Sequence, residues 1–413
     1  MKFLLPVVMY VAACVNPAPP LPPRPPAPER YQQIADQDPA VRSAATQEFV
    51  FDPTPEAVRM LMVVLERDRD PSVRAAAANA IAERRDPHLE PALQRAAALD
   101  PDPLARATAE SARGRLAVWK KRPGMAAGLG LLCPGCGHFY LGKHAQGAAI
   151  LGSSAALLGG AVVALKDHEL RLDGTADSAG VPAGLLLATT AQNLWFYSIF
   201  DAYRSARVAR DDYGYKFKVT RETLPELVSA PFRPSVLKSP WVWLGVPAAL
   251  LGGIAVSYAI EGDDIEDVPS IFDVKRVNFF GRKLRRGRGY AAGSAYYGTL
   301  FASVGVGEEA LFRGLIQTEM EERFGPTAGL VVASAIFGSI HAFNFLDDPG
   351  TIAVAVPVIT VLGSSLGLAY QRTGHRLSHS VAMHFWYDTL LSMAAFAIDP
   401  EHQPFVVNYG APM

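Results

Sequence analysis

A chain of 413 residues has room for two or three domains; half of its residues are hydrophobic and only 19% are charged, below the roughly 25% of ordinary soluble chains. A net charge of −1 leaves no electrostatic footprint for nucleic acid, and three cysteines, Cys14, Cys133 and Cys136, are too few for a disulfide framework. Residues 29–122 are charged and alanine-rich, whereas most of 124–398 consists of apolar blocks between charged loops. The composition therefore predicts an all-α chain in which a soluble helical domain precedes a polytopic helical membrane bundle.

Residues 1–14 begin with one lysine, continue as an apolar run too short to span comfortably, and end in small residues, as a secretory signal does. Val11-Ala12-Ala13-Cys14 resembles a bacterial lipobox, which implies lipidation of Cys14; an uncleaved anchor is the alternative. Residues 15–28 form a linker whose eight prolines favour extended polyproline II. Asp38-Pro-Ala-Val-Arg-Ser-Ala-Ala then recurs as Asp70-Pro-Ser-Val-Arg-Ala-Ala-Ala and Asp102-Pro-Leu-Ala-Arg-Ala-Thr-Ala, with a spacing of 32 residues both times. Aspartate accepts from the first free N–H groups of a helix, and proline fits the next position because its missing N–H is not needed there. The pattern resembles HEAT-like repeats, which implies a short α-solenoid over 29–119. A solenoid presents a concave face that can hold a protein partner.

Apolar runs near the ~20 residues needed to cross a bilayer fall at 124–142, 146–165, 181–202, 240–260, 289–307, 327–344, 351–371 and 378–398. Loop 203–239 carries eight Lys/Arg and is expected in the cytoplasm; loop 166–180 carries two and is expected outside. The seven Lys/Arg of 275–288 fall on the wrong side if 240–260 crosses once, so an interfacial amphipathic helix there, or a miscounted span, is expected. A lipidated Cys14 would put the repeats outside, whereas Lys120-Lys121-Arg122 would keep them in the cytoplasm. Residues 123–205 hold Pro134-Gly-Cys-Gly-His-Phe-Tyr140-Leu-Gly-Lys143 and resemble small two-helix membrane modules with a PGxGxxYxGK turn. Cys133-x-x-Cys136 with His138 and His144 reads as part of that turn, with a metal or redox pair as the alternative.

Ionisable residues are costly in hydrocarbon and mark function by default. Glu309 and Arg313 are four apart on one helical face and can pair. Glu308 lies about 100° away, five residues from Arg313, and is left for chemistry. His341 ends an almost wholly apolar run, and His384 and Asp388 share a face of the last span. Glu308 would take a proton from a water held by His341, the hydroxide would attack a peptide carbonyl, and His384 would stabilise the oxyanion. Asp388 would orient the His384 ring, or donate to the oxyanion if protonated. Glu319, Glu321, Glu322 and Arg323 read as a solvated helix end, and His375 and His379 as interfacial residues. A proton-coupled transporter and a non-catalytic scaffold or immunity protein are the competing readings.

Glu308-Glu309-Ala-Leu-Phe-Arg313-Gly, Phe337-Gly-Ser-Ile-His341 and His384-Phe-Trp-Tyr-Asp388 occur in the order and spacing of the CPBP (Abi) family, the CAAX prenyl and bacteriocin-processing intramembrane proteases. Gly363-Ser-Ser-Leu-Gly-Leu-Ala-Tyr370-Gln-Arg-Thr-Gly374 is similar to the family's Gly-rich penultimate helix. The resemblance implies an intramembrane endopeptidase domain over 240–400 acting on a membrane-associated peptide or protein in a bacterial cytoplasmic membrane. Proteins of this family are often called metalloproteases. Glu308, His341, His384 and Asp388 would serve as Zn²⁺ ligands, but no His-Glu-x-x-His helix is present, so direct, metal-free activation of water is the leading expectation.

Overall fold

The computed structural model describes residues 29–166, 180–247, 250–253, 272–280, 282–345, 349–398 and 400. The lipobox-like segment and the proline-rich linker lie outside the described residues, as does 254–271. The described chain is almost entirely helical and divides into two compact units, one of residues 29–122 with 209–214 and one holding the rest.

In the first unit, α1 (Glu29–Gln33) leads into two helix pairs and a last long helix. These are α2 (Pro39–Glu48) with α3 (Pro55–Arg67), α4 (Pro71–Glu83) with α5 (Glu90–Leu99), and α6 (Pro103–Lys120). Each repeated Asp-Pro starts a helix as its chemistry predicts. Asp38, Asp70 and Asp102 accept from the backbone of Ala40, Ser72 and Leu104, and a proline fills the first helical position each time. Alanine at the contact positions brings the helices close, and Ala45, Ala77, Ala78, Ala109 and Ala112 are fully or almost fully buried beside Leu61, Ile81 and Leu116. Sequence patterning did not disclose what joins one repeat to the next. Arg42 donates through Nε and NH2 to both oxygens of Asp68 at 2.9 Å, and Arg74 does the same to Asp100 at 2.7 Å. Segment 209–214 packs at the far end of α6, where Arg85 lies over the rings of Trp119 and Tyr213.

The second unit contains α7 (Pro123–Leu132), a short helix at Cys136–Tyr140, α8 (His144–Leu165) and α9 (Gly180–Ala209). The glycine-rich run at 124–142 is broken at the Cys133–Gly135 turn, at the proline where the sequence already weakens it, and Cys133 and Cys136 are joined by a disulfide. His138 is fully buried and faces Asp201 at 2.9 Å; Asp201 also accepts from Gln146 at 2.7 Å and pairs with Arg204. The basic stretch 275–288 departs from the expected interfacial helix. Its first part is an antiparallel hairpin of β1 (Arg276–Phe279) and β2 (Arg282–Arg285). The β-branched and aromatic residues Val277 and Phe279 suit a strand, and Val277 is buried under the start of the next helix.

Beyond the hairpin run α10 (Arg286–Glu309), a π-helical stretch (Ala310–Gln317), α11 (Thr318–Phe324), α12 (Pro326–Ile340), α13 (Pro349–Arg372) and α14 (Leu377–Ile398). Four described helical segments are long and apolar enough to cross a membrane: His144–Leu165, Pro326–Phe343, Pro349–Arg372 and Leu377–Ile398. The core that the last three share with α9 and the π-helical stretch includes Phe200, Leu311, Ile316, Leu366, Tyr370 and Val381.

Candidate active site

The π-helical stretch follows directly on Glu308 and Glu309. A π turn pairs residues five apart and widens the helix; such turns occur often at functional sites. Here it sets the Arg313 carbonyl to accept from Thr318 Oγ1 at 3.0 Å. Arg313 turns inward, donates to Glu309 Oε1 at 3.0 Å and to the Gly363 carbonyl at 2.8 Å, and lies 4.4 Å above the Phe337 ring. The pairing four residues apart is the one the spacing predicts, and both side chains are buried.

Glu309 Oε1 also accepts from His384 Nδ1 at 2.8 Å. One carboxylate oxygen thus fixes both an arginine and an imidazole. With Nδ1 committed, His384 presents Nε2 to the other side, 3.3 Å from Asp388 Oδ2 and 3.8 Å from Glu308 Oε2. Asp388 was expected to orient the ring, but it lies at the outward nitrogen, and Glu309 holds the inner one. Tyr387 stacks on His384 with centroids 5.1 Å apart, and Phe337 meets its edge at 6.1 Å. Glu308, Glu309, Arg313, His384 and Asp388 are all at most 6% exposed.

His341 approaches from the end of α12. Its Nδ1 lies 2.7 Å from the Phe337 carbonyl, which only accepts, so Nδ1 carries the hydrogen and Nε2 of the neutral ring is an acceptor. Its ring packs on Phe337, centroids 4.6 Å apart, so one phenyl ring separates and spaces the two histidines.

Three buried polar atoms here make no hydrogen bond among the described residues: Glu308 Oε2, Glu309 Oε2 and His384 Nε2. Buried polar groups are almost always partnered in protein or by water, so such a cluster calls for an explanation. A metal was one candidate occupant. No group of three His, Cys, Asp or Glu side chains among the described residues is arranged to hold a metal ion. His384 Nδ1 is held by Glu309, which leaves Nε2 as the nitrogen that would ligate, with the carboxylate as its support.

Asn193 of α9 escaped sequence reasoning. It packs so closely on Gly307 that a Cβ there would lie 2.6 Å from the Asn193 Cα. Glycine is needed where the two helices touch, one residue before Glu308. No periodicity reveals that contact, since it joins positions more than a hundred residues apart. The glutamates of α11 also differ from expectation. Glu319 and Glu321 are buried, not solvated. Glu319 pairs with Arg207 at 3.7 Å and with the Tyr203 hydroxyl; Glu321 accepts from Gln317 at 2.7 Å and Gln371 at 2.8 Å and faces His375 at 2.8 Å. Glu322 accepts from the backbone of Lys216 and Phe217. These carboxylates tie α9 and the turn after α13 to the helix bearing Glu308.

No curated protein and no solved structure proved similar enough to the chain to be matched. Two family models did match. One describes HEAT repeats and covers residues 27–113. The other describes the type II CAAX prenyl endopeptidase Rce1-like family and covers residues 293–390, which include Glu308, Glu309, Arg313, His341, His384 and Asp388. The protein is thus a multi-pass membrane protein whose residues 27–113 match HEAT repeats and whose residues 293–390 match the Rce1-like family of type II CAAX prenyl endopeptidases.

Proposed function

We propose that the protein is an intramembrane endopeptidase that hydrolyses a membrane-associated protein or peptide, with Glu308 as general base. The observation that carries this is the group of buried atoms Glu308 Oε2, Glu309 Oε2 and His384 Nε2, which make no hydrogen bond among the described residues, beside an arginine whose charge is already met by Glu309. A water between Glu308 and His341 would donate one hydrogen to the carboxylate and one to the acceptor Nε2 of His341. Glu308 takes a proton as the water oxygen adds to the scissile carbonyl carbon. The oxyanion that forms lies toward His384, whose Nε2–H donates to it; a preorganised donor in a dry site supplies several kcal/mol of barrier reduction. Glu308 then returns the proton to the leaving amine as the C–N bond breaks.

Glu309 holds His384 Nδ1 throughout, so the ring stays in register while charge builds on its other side. Asp388 flanks Nε2 and either balances the imidazolium or, if protonated, gives the oxyanion a second hydrogen bond. Each chemical role rests on this chain's own side chains, and no metal is required. The substrate class follows from the setting. A carboxylate and two imidazoles among membrane-spanning helices act on peptide bonds at or within the bilayer, and a bacterial cytoplasmic membrane suits the signal-like residues 1–14. The test is a comparison of membrane proteomes from cells making the wild type or Glu308→Gln. New protein N-termini present only with the wild type are expected; identical sets of termini would overturn the reading.

A further inference from the structure

The repeat unit ends in mismatched halves of its own ladder. Aspartates 36, 68 and 100 are spaced by 32 residues, and so are arginines 42, 74 and 106. Each aspartate caps the loop after it: Asp36 accepts from the Asp38 N–H at 2.8 Å, Asp68 from Asp70 and Asp100 from Asp102, both at 2.9 Å. Each arginine braces the loop before its helix. Arg42 donates to the carbonyl of Asp36, Arg74 to that of Asp68 and Arg106 to that of Asp100, at 2.9, 2.8 and 2.7 Å. The remaining two donors of Arg42 and Arg74 then grip the aspartate of the next repeat, with side chains at most 9% exposed.

Arg106 holds the same loop bond but has no carboxylate hydrogen-bonded to it among the described residues; one repeat on, the position belongs to Leu132. Asp36 is exposed and its carboxylate has no arginine bonded to it among the described residues, and Tyr10 stands one repeat before Arg42 in the sequence. The terminal repeat differs in a second way. Where inner repeats carry Ala40 and Ser72, it has Leu104, 67% exposed; where they carry Ala35 and Arg67, it has Leu99, 77% exposed. A solenoid end open to water needs a polar outer face, and this end is apolar around an arginine set to bind a carboxylate. Segment 209–214 does not reach it, since Trp119 lies 13 residues from Arg106, about 20 Å along the helix.

We propose that two copies of this protein associate head to tail through their repeat units. Arg106 of one copy grips Asp36 of the next as Arg42 grips Asp68 and Arg74 grips Asp100. The occupant is named by the ligand: the missing partner is an aspartate two residues before an Asp-Pro helix start, and the chain carries one such loop unused, Asp36-Gln-Asp38-Pro39. The contact is heterologous, so it gives rings or open rows rather than a two-fold dimer.

The test uses the full chain in detergent or nanodiscs, with particle mass followed against concentration. Arg106→Asp and Asp36→Arg should each weaken association about a hundredfold or more, as expected when one member of a buried ion pair is lost. Mixing the two variants should restore it, because the carboxylate introduced in one then meets the guanidinium introduced in the other, and recovery in the mixture also shows that both fold. Arg106→Ala should weaken association without creating a new partner. The proposal is overturned by a wild type that stays monomeric at every accessible concentration, by association indifferent to both charge reversals, by a mixture that fails to recover, or by crosslinks from position 106 that lead only to a different protein.

Discussion

Glu309 carries a structural load that its neighbour Glu308 does not. Its Oε1 meets Arg313 and His384 at once, so Glu309→Gln leaves a buried guanidinium without its counter-charge. Breaking a buried pair from one side costs about 3–5 kcal/mol; the thermal midpoint in detergent should fall by several degrees. Glu309→Gln combined with Arg313→Met should recover part of it, since no lone charge remains. A Glu309→Gln protein that melts like the wild type would show that the pair adds no stability. The proposed metal-free route makes a second prediction at this scale. Activity should survive prolonged chelation, and no stoichiometric metal should accompany the purified protein; loss of activity that zinc restores would place a metal in the site.

Between elements, packing is set by small residues. Gly338 of α12 touches α13 so closely that an added Cβ would collide with Thr360 Oγ1 and come within 2.9 Å of Thr360 N and Val356 O. Two of those atoms are backbone and cannot rotate aside. Gly338→Ala should therefore cost about 1–3 kcal/mol as an overpacking change, read as a lower melting midpoint. Gly114 of α6 is the contrast: it is exposed, and nothing lies within 4 Å of a Cβ there. Gly114→Ala should stabilise the repeat unit by about 0.8–1 kcal/mol through helix propensity alone.

The repeat unit also has a pH signature. The bidentate bond from Arg74 holds the Asp100 carboxyl below its ordinary value. Burial alone would raise Asp68, but the Arg42 bond and the Asp70 N–H outweigh it, and the net shift is downward. Folded carboxyls that bind protons less readily than unfolded ones stabilise fully above the unfolded value of about 3.9 and lose that contribution as pH falls through the folded values. Amide exchange over 71–99, corrected for its intrinsic rate, should show protection falling below about pH 4, and Asp100→Asn should flatten that limb. Protection independent of pH across this range would refute the ladder's role.

At the scale of the whole molecule, what was legible in the sequence was local. Asp-Pro starts reveal themselves because cap and helix are adjacent in the chain, and Glu309 with Arg313 because four residues make one turn. The His384–Asp388 face was legible for the same reason. The ladder was not, since Arg42 and Asp68 are 26 residues apart, far beyond the reach of any helical period. The burial of Glu319 and Glu321 was hidden because it depends on where α9 and α13 come to rest. Asn193 against Gly307 was hidden likewise. The hairpin at 276–285 was masked by its own charge, as alternating Lys and Arg suggested an interfacial helix more than a strand pair.

The central claim is that Glu308 activates water for peptide hydrolysis inside the membrane domain. It is met most directly by reconstituting the purified wild type and Glu308→Gln in vesicles with extracted membrane proteins and reading every new peptide end in ¹⁸O-labelled water. The account predicts new carboxyl termini carrying the label with the wild type and none with Glu308→Gln, at equal melting behaviour. Labelled ends from a folded Glu308→Gln protein in the same amount as from the wild type would contradict it.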